Sequence, residues 1–310
     1  MKKLIIILSL FISAHALATG KWTVSRIDKD YSPKNDITGL SFDKQGALWA
    51  STSCGVFAYA NGSWEEKGLR KAYLHTIYVD DNNTKWAGLY LGGLHFSTDG
   101  NKWEKVNQPE MSGSVNAVTS DKKGTIWMGD WNEGLFSLTP GAKGKWAQYR
   151  SGKQLLGDNA IFSVTTDSKN QLWAGTTHGV SLYSNNQWTL YNIKNSKLPD
   201  NIVYSLASDS NGTVWIGTAN GLVKANSSGW TVYNNENSGL SCDLILALAV
   251  DEIGNIWVGT NKGAFYFNGQ KWENFTVENS DLPDNRVQTI IARNNKIYFG
   301  TSYGLAIYEY

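Results

Sequence analysis

The sequence has little that would suggest a metal centre, a disulfide scaffold or a nucleic-acid surface. Its 310 residues include only two Cys, four His and five Pro. Lys and Arg number 28 against 27 Asp and Glu, so no basic excess favours nucleic acid. The His residues lack the spacing of a zinc motif. We therefore predict a protein without a bound metal or cofactor.

Long apolar runs are also scarce, and the one near the N-terminus is too short to cross a bilayer. Lys2 and Lys3 precede the apolar run Leu4–Ile12, and a small-residue cleavage signature ends at Ala18. This order is typical of a secretory signal peptide over residues 1–18. Thr19 would follow the cleavage, and because it is not Cys, no lipid anchor is expected. The prediction is a periplasmic or secreted protein without a membrane span, comprising one domain over residues 19–310.

Aromatic residues and glycine are abundant, with 14 Trp, 15 Tyr and 31 Gly. This composition favours strands joined by tight turns, and hence an all-β fold. Three residue series recur along the chain, and the later members of each lie about 42 residues apart. The first series is Trp49, Trp86, Trp127, Trp173, Trp215, Trp257 and Tyr298; the second is Trp64, Trp103, Trp146, Trp188, Trp230 and Trp272; the third is Asn159, Asn201, Asp243 and Asn285.

Each repeat is interpreted as four short antiparallel strands. In the fourth repeat, these are predicted at Ile161–Thr166, Leu172–Gly175, Val180–Tyr183 and Gln187–Tyr191. The first three are apolar at nearly every position, which indicates a sheet covered on both faces. Stacked blades cover each other in this way, so the pattern predicts a seven-bladed β-propeller of four-stranded antiparallel blades. The repeat Trp residues are predicted to belong to the core and to the packing between blades.

The seventh repeat lacks its fourth strand, because the chain ends at Tyr310 after the third. A spare fourth-strand sequence lies at Lys21–Ser25, with Trp22 42 residues before Trp64. We predict that this N-terminal strand completes the seventh blade and leaves no unpaired sheet edge.

Segments such as Asn195–Asn201 and Asn279–Asn285, which read N-S-x-L-P-D-N, precede an N-G-x-[LIV]-W-x-G-T-x-x-G-[LV] pattern. Together these motifs resemble the repeat of the two-component regulator propellers. The resemblance implies an extracytoplasmic sensor module, often attached to a histidine kinase and often responsive to carbohydrate. This sequence has no kinase region, so signalling would need a separate membrane signalling protein.

Residues that vary between repeats and fall in loops on one face are the candidates for ligand binding. Trp131 is the first choice, because it is the one Trp outside the repeat and exposed aromatic rings suit sugar faces or peptide side chains. The other predicted ligand-binding residues are Glu133, His178, Tyr90, Tyr303, Lys262, Asn220 and Arg286. Cys54, Tyr73, Arg70 and Arg150 fall in the same set of loops.

The leading hypothesis is a non-enzymatic, monomeric sensor or binding propeller for a glycan, a peptide or a partner protein. The alternative is a lyase or hydrolase at the channel mouth, similar to the streptogramin lyases, with His178 as base and Glu133 as metal ligand. A scaffold that assembles through its rim is a third reading. Cys54 and Cys242 fall about two blades apart, beyond disulfide reach, and are predicted to be free thiols.

Overall fold

Twenty-eight strands form seven four-stranded antiparallel sheets, as seen in a computed structural model that describes residues 20–108, 111, 113–140, 144–152 and 156–310. The predicted seven-bladed propeller is thereby confirmed. The predicted signal peptide and its cleavage after Ala18 lie outside the described residues. No helix in the described part of the chain is long and apolar enough to cross a membrane.

The strand bounds repeat with little change from blade to blade. Blade 1 contains β2 (Ile37–Phe42), β3 (Leu48–Thr52), β4 (Gly55–Ala60) and β5 (Ser63–Gly68). Blade 2 contains β6 (Leu74–Val79), β7 (Lys85–Leu89), β8 (Gly93–Ser97) and β9 (Glu104–Lys105). Blade 3 contains β10 (Val115–Ser120), β11 (Ile126–Asp130), β12 (Leu135–Leu138) and β13 (Trp146–Tyr149). Blade 4 contains β14 (Ile161–Thr166), β15 (Leu172–Thr176), β16 (Gly179–Ser184) and β17 (Gln187–Tyr191).

The remaining blades follow the same order. Blade 5 contains β18 (Val203–Ser208), β19 (Val214–Thr218), β20 (Gly221–Asn226) and β21 (Gly229–Tyr233). Blade 6 contains β22 (Ile245–Val250), β23 (Ile256–Thr260), β24 (Gly263–Phe267) and β25 (Trp272–Phe275). Blade 7 contains β26 (Val287–Arg293), β27 (Lys296–Thr301), β28 (Gly304–Glu309) and β1 (Lys21–Ser25), while a short 3-10 helix covers Pro33–Asn35 before blade 1.

The ring closes through β1, which pairs with β28 in blade 7. Lys21 lies opposite Glu309, and Ser25 lies opposite Leu305. Trp22 packs its indole against the rings of Phe299 and Tyr308 at centroid distances of 5.7 and 4.8 Å. The predicted closure by the N-terminal strand is confirmed, and aromatic packing adds to its hydrogen bonds.

The core is divided into clusters that lie between adjacent blades. One cluster, for example, joins Trp173 and Val180 of blade 4 to Val203 and Ile216 of blade 5. Seven such clusters are found among the described residues. This arrangement explains why the middle strands carry apolar side chains on both faces and need no alternation.

Buried Trp residues of the first series tie the second strand of a blade to the turn that precedes it. Trp173 donates its indole N–H to Oδ2 of Asp167 at 3.0 Å, while Oδ1 of Asp167 accepts the backbone N–H groups of Lys169 and Gln171. The same indole bond to Asp occurs in blades 1, 2, 3 and 6. The six Trp of this series are at most 7% exposed, so their predicted role in the core is confirmed.

Glycine in the second strand gives the next blade room to approach. A Cβ at Gly88 would lie 2.3 Å from the backbone oxygen of Val115, and one at Gly175 would lie 2.8 Å from that of Val203. Both contacts are closer than real Cβ atoms allow. The glycine of the W-x-G pattern is therefore a requirement of inter-blade packing.

Candidate ligand-binding face

One face of the propeller carries the loops between blades and the turns between the second and third strands, and we call it the loop face. The nine large apolar side chains that are most exposed in the described residues divide very unevenly between the two faces. Only Ile253 lies on the opposite face, in a turn between first and second strands. The other eight lie on the loop face: Tyr31, Tyr73, Tyr90, Leu91, Trp131, Ile193, Val277 and Tyr303. The exposed apolar side chains of the described residues are thus concentrated on the loop face.

The turns of the loop face share one design in five blades. A Thr hydroxyl at the end of the second strand donates to the backbone oxygen of the Gly that opens the third, as Thr176 does to Gly179 at 2.8 Å. The same hydroxyl accepts the N–H of the residue before the Gly, which is His178 in this turn. Leu89 and Asp130 replace this Thr in blades 2 and 3, where the turn is one residue longer. The loop face thus departs from its own pattern in two adjacent blades.

Trp131 stands in the longer turn of blade 3. Oδ1 of Asp130 accepts the N–H groups of Asn132 and Glu133, and the N–H of Trp131 donates to the backbone oxygen of Ser114 at 2.9 Å. The indole is 45% exposed and meets the ring of Phe162 edge-on, with centroids 5.2 Å apart. Its backbone is held firmly while half of its ring faces solvent.

A cavity of about 320 Å³ opens beside Trp131 at the mouth of the central channel. Its walls come from the first strands of five blades, and they include Thr38, His75, Asn116, Phe162 and Gln288. First strands contact one another around the axis, which places this cavity at the centre of the propeller. The cavity has the size expected of a small-ligand site.

Each first strand carries a β-bulge at its second residue, where the register with the second strand shifts. The bulged residues are all partly exposed and form what we call the mouth ring: Thr38, His75, Asn116, Phe162, Tyr204, Leu246 and Gln288. A bulge leaves one residue unpaired and turns its side chain away from the regular pleat. Five of the seven ring residues line the cavity.

The mouth ring was not among the predicted site residues, although the sequence contains a signal for it. In blades 4 to 7 the ring residue stands three positions after a member of the Asn159 series, as Phe162 does after Asn159. The residue just before it is always aliphatic, whereas the ring position itself changes character from blade to blade. Finding the ring from sequence would have required knowing that this strand is bulged.

The predicted residues Glu133 and His178 have separate partners. Glu133 forms an ion pair with Arg150, whereas Nδ1 of His178 lies 2.6 Å from Oδ2 of Asp158. Burial alone would raise the pKa of the Asp158 carboxyl, but hydrogen bonds from Ala160 and Thr177 and the nearby His178 hold that pKa below its ordinary value. The carboxylate beside His178 is thus Asp158 rather than Glu133.

The predicted tyrosines form two aromatic groups on the loop face. Tyr90 packs edge-on against Tyr73 and against His75, which also lines the cavity. Tyr303 packs against Tyr31, with ring centroids 5.2 Å apart. The first group therefore extends the cavity wall outwards, while the second is a separate patch between blades 7 and 1.

The remaining predicted residues are exposed side chains at the tips of the loop face. The backbone N–H groups of Lys262 and Asn220 are fixed by Thr260 and Thr218, and that of Arg286 donates to Asp284. None of the three lines the cavity. Arg70 is likewise exposed and pairs with Glu66.

Cys54 is partly exposed and Cys242 is buried, and both are free thiols. The Sγ of Cys242 lies 3.1 Å from Oδ1 of Asn261. Within the described residues, no three His, Cys, Asp or Glu side chains are grouped as metal ligands. The Asp turns of the opposite face bind backbone N–H groups and indoles instead.

The protein is thus a seven-bladed β-propeller whose loop face varies in sequence between blades more than the opposite face does. The sequence model of the two-component regulator propeller matches residues 197–220 and 239–262. The chain therefore carries two-component regulator propeller repeats, which confirms the resemblance seen in its motifs. A comparison with curated proteins finds no match.

Solved structures with the same fold have different roles. The extracellular domain of a proposed hybrid two-component system of B. thetaiotaomicron, BT3049, superposes with a TM-score of 0.81 and 24% identity over 94% of this chain and 41% of that one. Streptogramin B lyase superposes with a TM-score of 0.75 and 15% identity over 93% of this chain and 97% of that one. PorZ is a surface component of the type-IX secretion system of Porphyromonas gingivalis. It superposes with a TM-score of 0.71 and 20% identity over 91% of this chain and 48% of that one. At these identities the similarity shows the fold alone, and the chain spans about two fifths of the two-component domains.

Proposed function

We propose that this protein is an exported binding propeller that recognises a carbohydrate or peptide ligand on its loop face, at the mouth of the central channel. The observation that carries the proposal is the placement of Trp131, whose half-exposed indole stands beside the 320 Å³ cavity. Aromatic rings offer a rigid apolar surface to a sugar face or a peptide side chain. The amides of Asn116 and Gln288 supply hydrogen-bonding groups in the same cavity.

The proposal extends to a sensory role with a separate membrane signalling protein. It is supported by the two-component regulator propeller repeats and by the fold shared with extracellular domains of proposed two-component systems. Those domains are more than twice as long as the matched part. A partner chain would then supply what a single propeller lacks for signalling.

The test is a ligand screen on the protein without residues 1–18, using a glycan array, a peptide library and thermal shift. Trp131→Ala should weaken binding of any hit by at least about tenfold, since a buried aromatic contact contributes on the order of 1.4 kcal/mol. Ile253→Ala is the matched control, because Ile253 is an exposed apolar residue on the opposite face. Equal affinity of wild type and Trp131→Ala would contradict the proposal.

A lyase or hydrolase is the second candidate, and the pairing of His178 with Asp158 is the observation that favours it. A carboxylate that accepts from one imidazole nitrogen orients the other as a base. His178 is 66% exposed at its side chain and reaches solvent on the loop face. Under this candidate, His178→Ala abolishes turnover of a bound ligand while its affinity stays near the wild-type value. Under the binding proposal, incubation leaves the ligand chemically unchanged.

A further inference from the structure

The mouth ring is chemically divided, and its two parts come from different sides of the propeller. Blades 7, 1, 2 and 3 contribute only side chains with hydrogen-bonding groups: Gln288, Thr38, His75 and Asn116. Blades 4, 5 and 6 contribute two aromatic rings and one aliphatic side chain: Phe162, Tyr204 and Leu246. The same structural position thus presents a polar arc opposite an apolar arc.

The polar arc is held in place by bonds to the next blade. Nε2 of Gln288 donates to Oδ1 of Asp36 at 2.6 Å, and Nδ2 of Asn116 donates to the backbone oxygen of Ile161 at 2.9 Å. In both amides these bonds use the nitrogen. Within the part of the chain that the structure describes, Oδ1 of Asn116 is buried and accepts no hydrogen bond. These bonds fix the two amides in the cavity wall as polar groups of the mouth ring.

The two aromatic rings of the apolar arc form a continuous aromatic wall with Trp131. The Phe162 ring lies between the indole of Trp131 at 5.2 Å and the ring of Tyr204 at 5.1 Å. Phe162 is thus the centre of three rings, and it belongs to both the cavity and the mouth ring. Such a wall offers an apolar surface without charge.

None of the described residues that line the cavity is Asp, Glu, Lys or Arg. The one titratable residue among them is His75, and burial lowers the pKa of its imidazole, which favours the uncharged ring. The carboxylate of Asp36, which contacts the cavity-lining Gln288, also accepts from the hydroxyl of Ser53. An ionic group placed in this cavity would lose hydration without gaining an opposite charge.

We infer that the mouth ring sets ligand specificity and that it selects an uncharged molecule with one flat apolar face and one hydrogen-bonding edge, as in a neutral saccharide. This inference rests on the proposed function and deepens it. The apolar face of the ligand would lie against Phe162 and Tyr204, and its hydroxyl edge would face Asn116, His75 and Thr38. A uronic acid or a sulfated sugar of the same shape would be rejected because of its charge.

The experiment pairs neutral oligosaccharides with their uronic-acid and sulfated counterparts and measures binding by isothermal titration calorimetry. We expect the neutral member to bind at least about tenfold more tightly than its charged counterpart. Phe162→Leu keeps an apolar side chain in place and should weaken neutral binding by about tenfold, while Thr38→Val should weaken it by about threefold. Ile253→Ala, outside the cavity, serves as the control for all variants.

Preferential binding of the charged members would overturn the inference and leave the proposed function standing. Neutral binding that responds to Trp131→Ala but not to Phe162→Leu or Thr38→Val would also overturn it, since the ring would then play no part. If no saccharide binds, the inference fails, and the peptide library alone decides the proposed function.

Discussion

The two faces of this propeller differ in how they use their side chains. On the face with the turns between first and second strands, the carboxylates of Asp43, Asp80, Asp121, Asp167 and Asp251 all bind backbone N–H groups and a Trp indole. On the loop face the turn residues that follow the shared Thr differ from blade to blade, and eight large apolar side chains are exposed. Repetition therefore marks the scaffold, and the loop residues that vary are the ones on which the proposed function rests.

Removal of the closing strand should have the largest effect on the scaffold. A chain that begins at residue 28 loses β1, and with it the packing of Trp22 against Phe275, Phe299 and Tyr308. We expect its melting temperature to fall by more than about 10 °C relative to a chain that begins at residue 20. Calorimetric scans of the two chains provide the measurement. Equal melting temperatures would show that closure of the ring by β1 does not stabilise the protein.

A pair of Trp substitutions compares the faces directly. Trp173 is 7% exposed in an inter-blade cluster, so Trp173→Ala should lower the free energy of unfolding by about 3–5 kcal/mol. Trp131 is 45% exposed, and Trp131→Ala should lower it by less than about 1 kcal/mol. Urea unfolding followed by circular dichroism measures both values. Similar losses would mean that Trp131 is part of the scaffold.

The Asp turns contain a matched comparison of their own. Asp167 accepts an indole bond at 3.0 Å, whereas Nε1 of Trp215, which follows Asp209 at the same spacing, is buried without a partner among the described residues. Both carboxylates accept backbone N–H groups. Asp167→Ala should therefore cost about 1–2 kcal/mol more than Asp209→Ala. If urea unfolding shows the same loss of unfolding free energy for both variants, the indole bond does not stabilise the scaffold.

The smallest expected effect concerns pH. Burial lowers the pKa of His75 and of His95, and for His95 the charge of Lys105 lowers it further. The folded state then binds fewer protons than the unfolded state, so stability is complete above the ordinary His pKa and declines as pH falls below it. The free energy of unfolding should decrease between pH 7.5 and pH 5.5. In the double variant His75→Gln and His95→Gln this decrease should become shallower, and an unchanged slope would contradict the assignment.

Most of the fold was accessible from the sequence because the repeat Trp, Gly and Asp residues each meet the same requirement in most of the blades. The strands of blade 4 were predicted to within one residue, and Lys21–Ser25 was assigned to blade 7 with the bounds that the structure shows. Residues that occupy equivalent positions in the 42-residue repeat occupy equivalent positions in the blades. Local pattern and global fold agree here.

The candidate site was harder to predict from the sequence, because its geometry depends on contacts between residues that do not belong to the repeat pattern. Trp131 was recognisable as the Trp outside the repeat, but its contact with Phe162 joins two blades. The pairing of His178 with Asp158 rather than Glu133 depends on how a loop of blade 4 returns towards its own turn. Spacing along the chain does not reveal this pairing, because Asp158 and His178 lie 20 residues apart and meet only when the loop is folded.

The pairing of Lys21 with Glu309 also shapes how the chain reaches its native state. Within the propeller, β1 is synthesised before the other strands and its partner β28 after them. Blades 1 to 6 consist of consecutive strands and can form locally, but the ring has no closed state until β28 is present. Such a long-range contact slows the last step of folding. Until that step, β1 and β28 are open sheet edges, and the incomplete chain is most exposed to aggregation at these two strands.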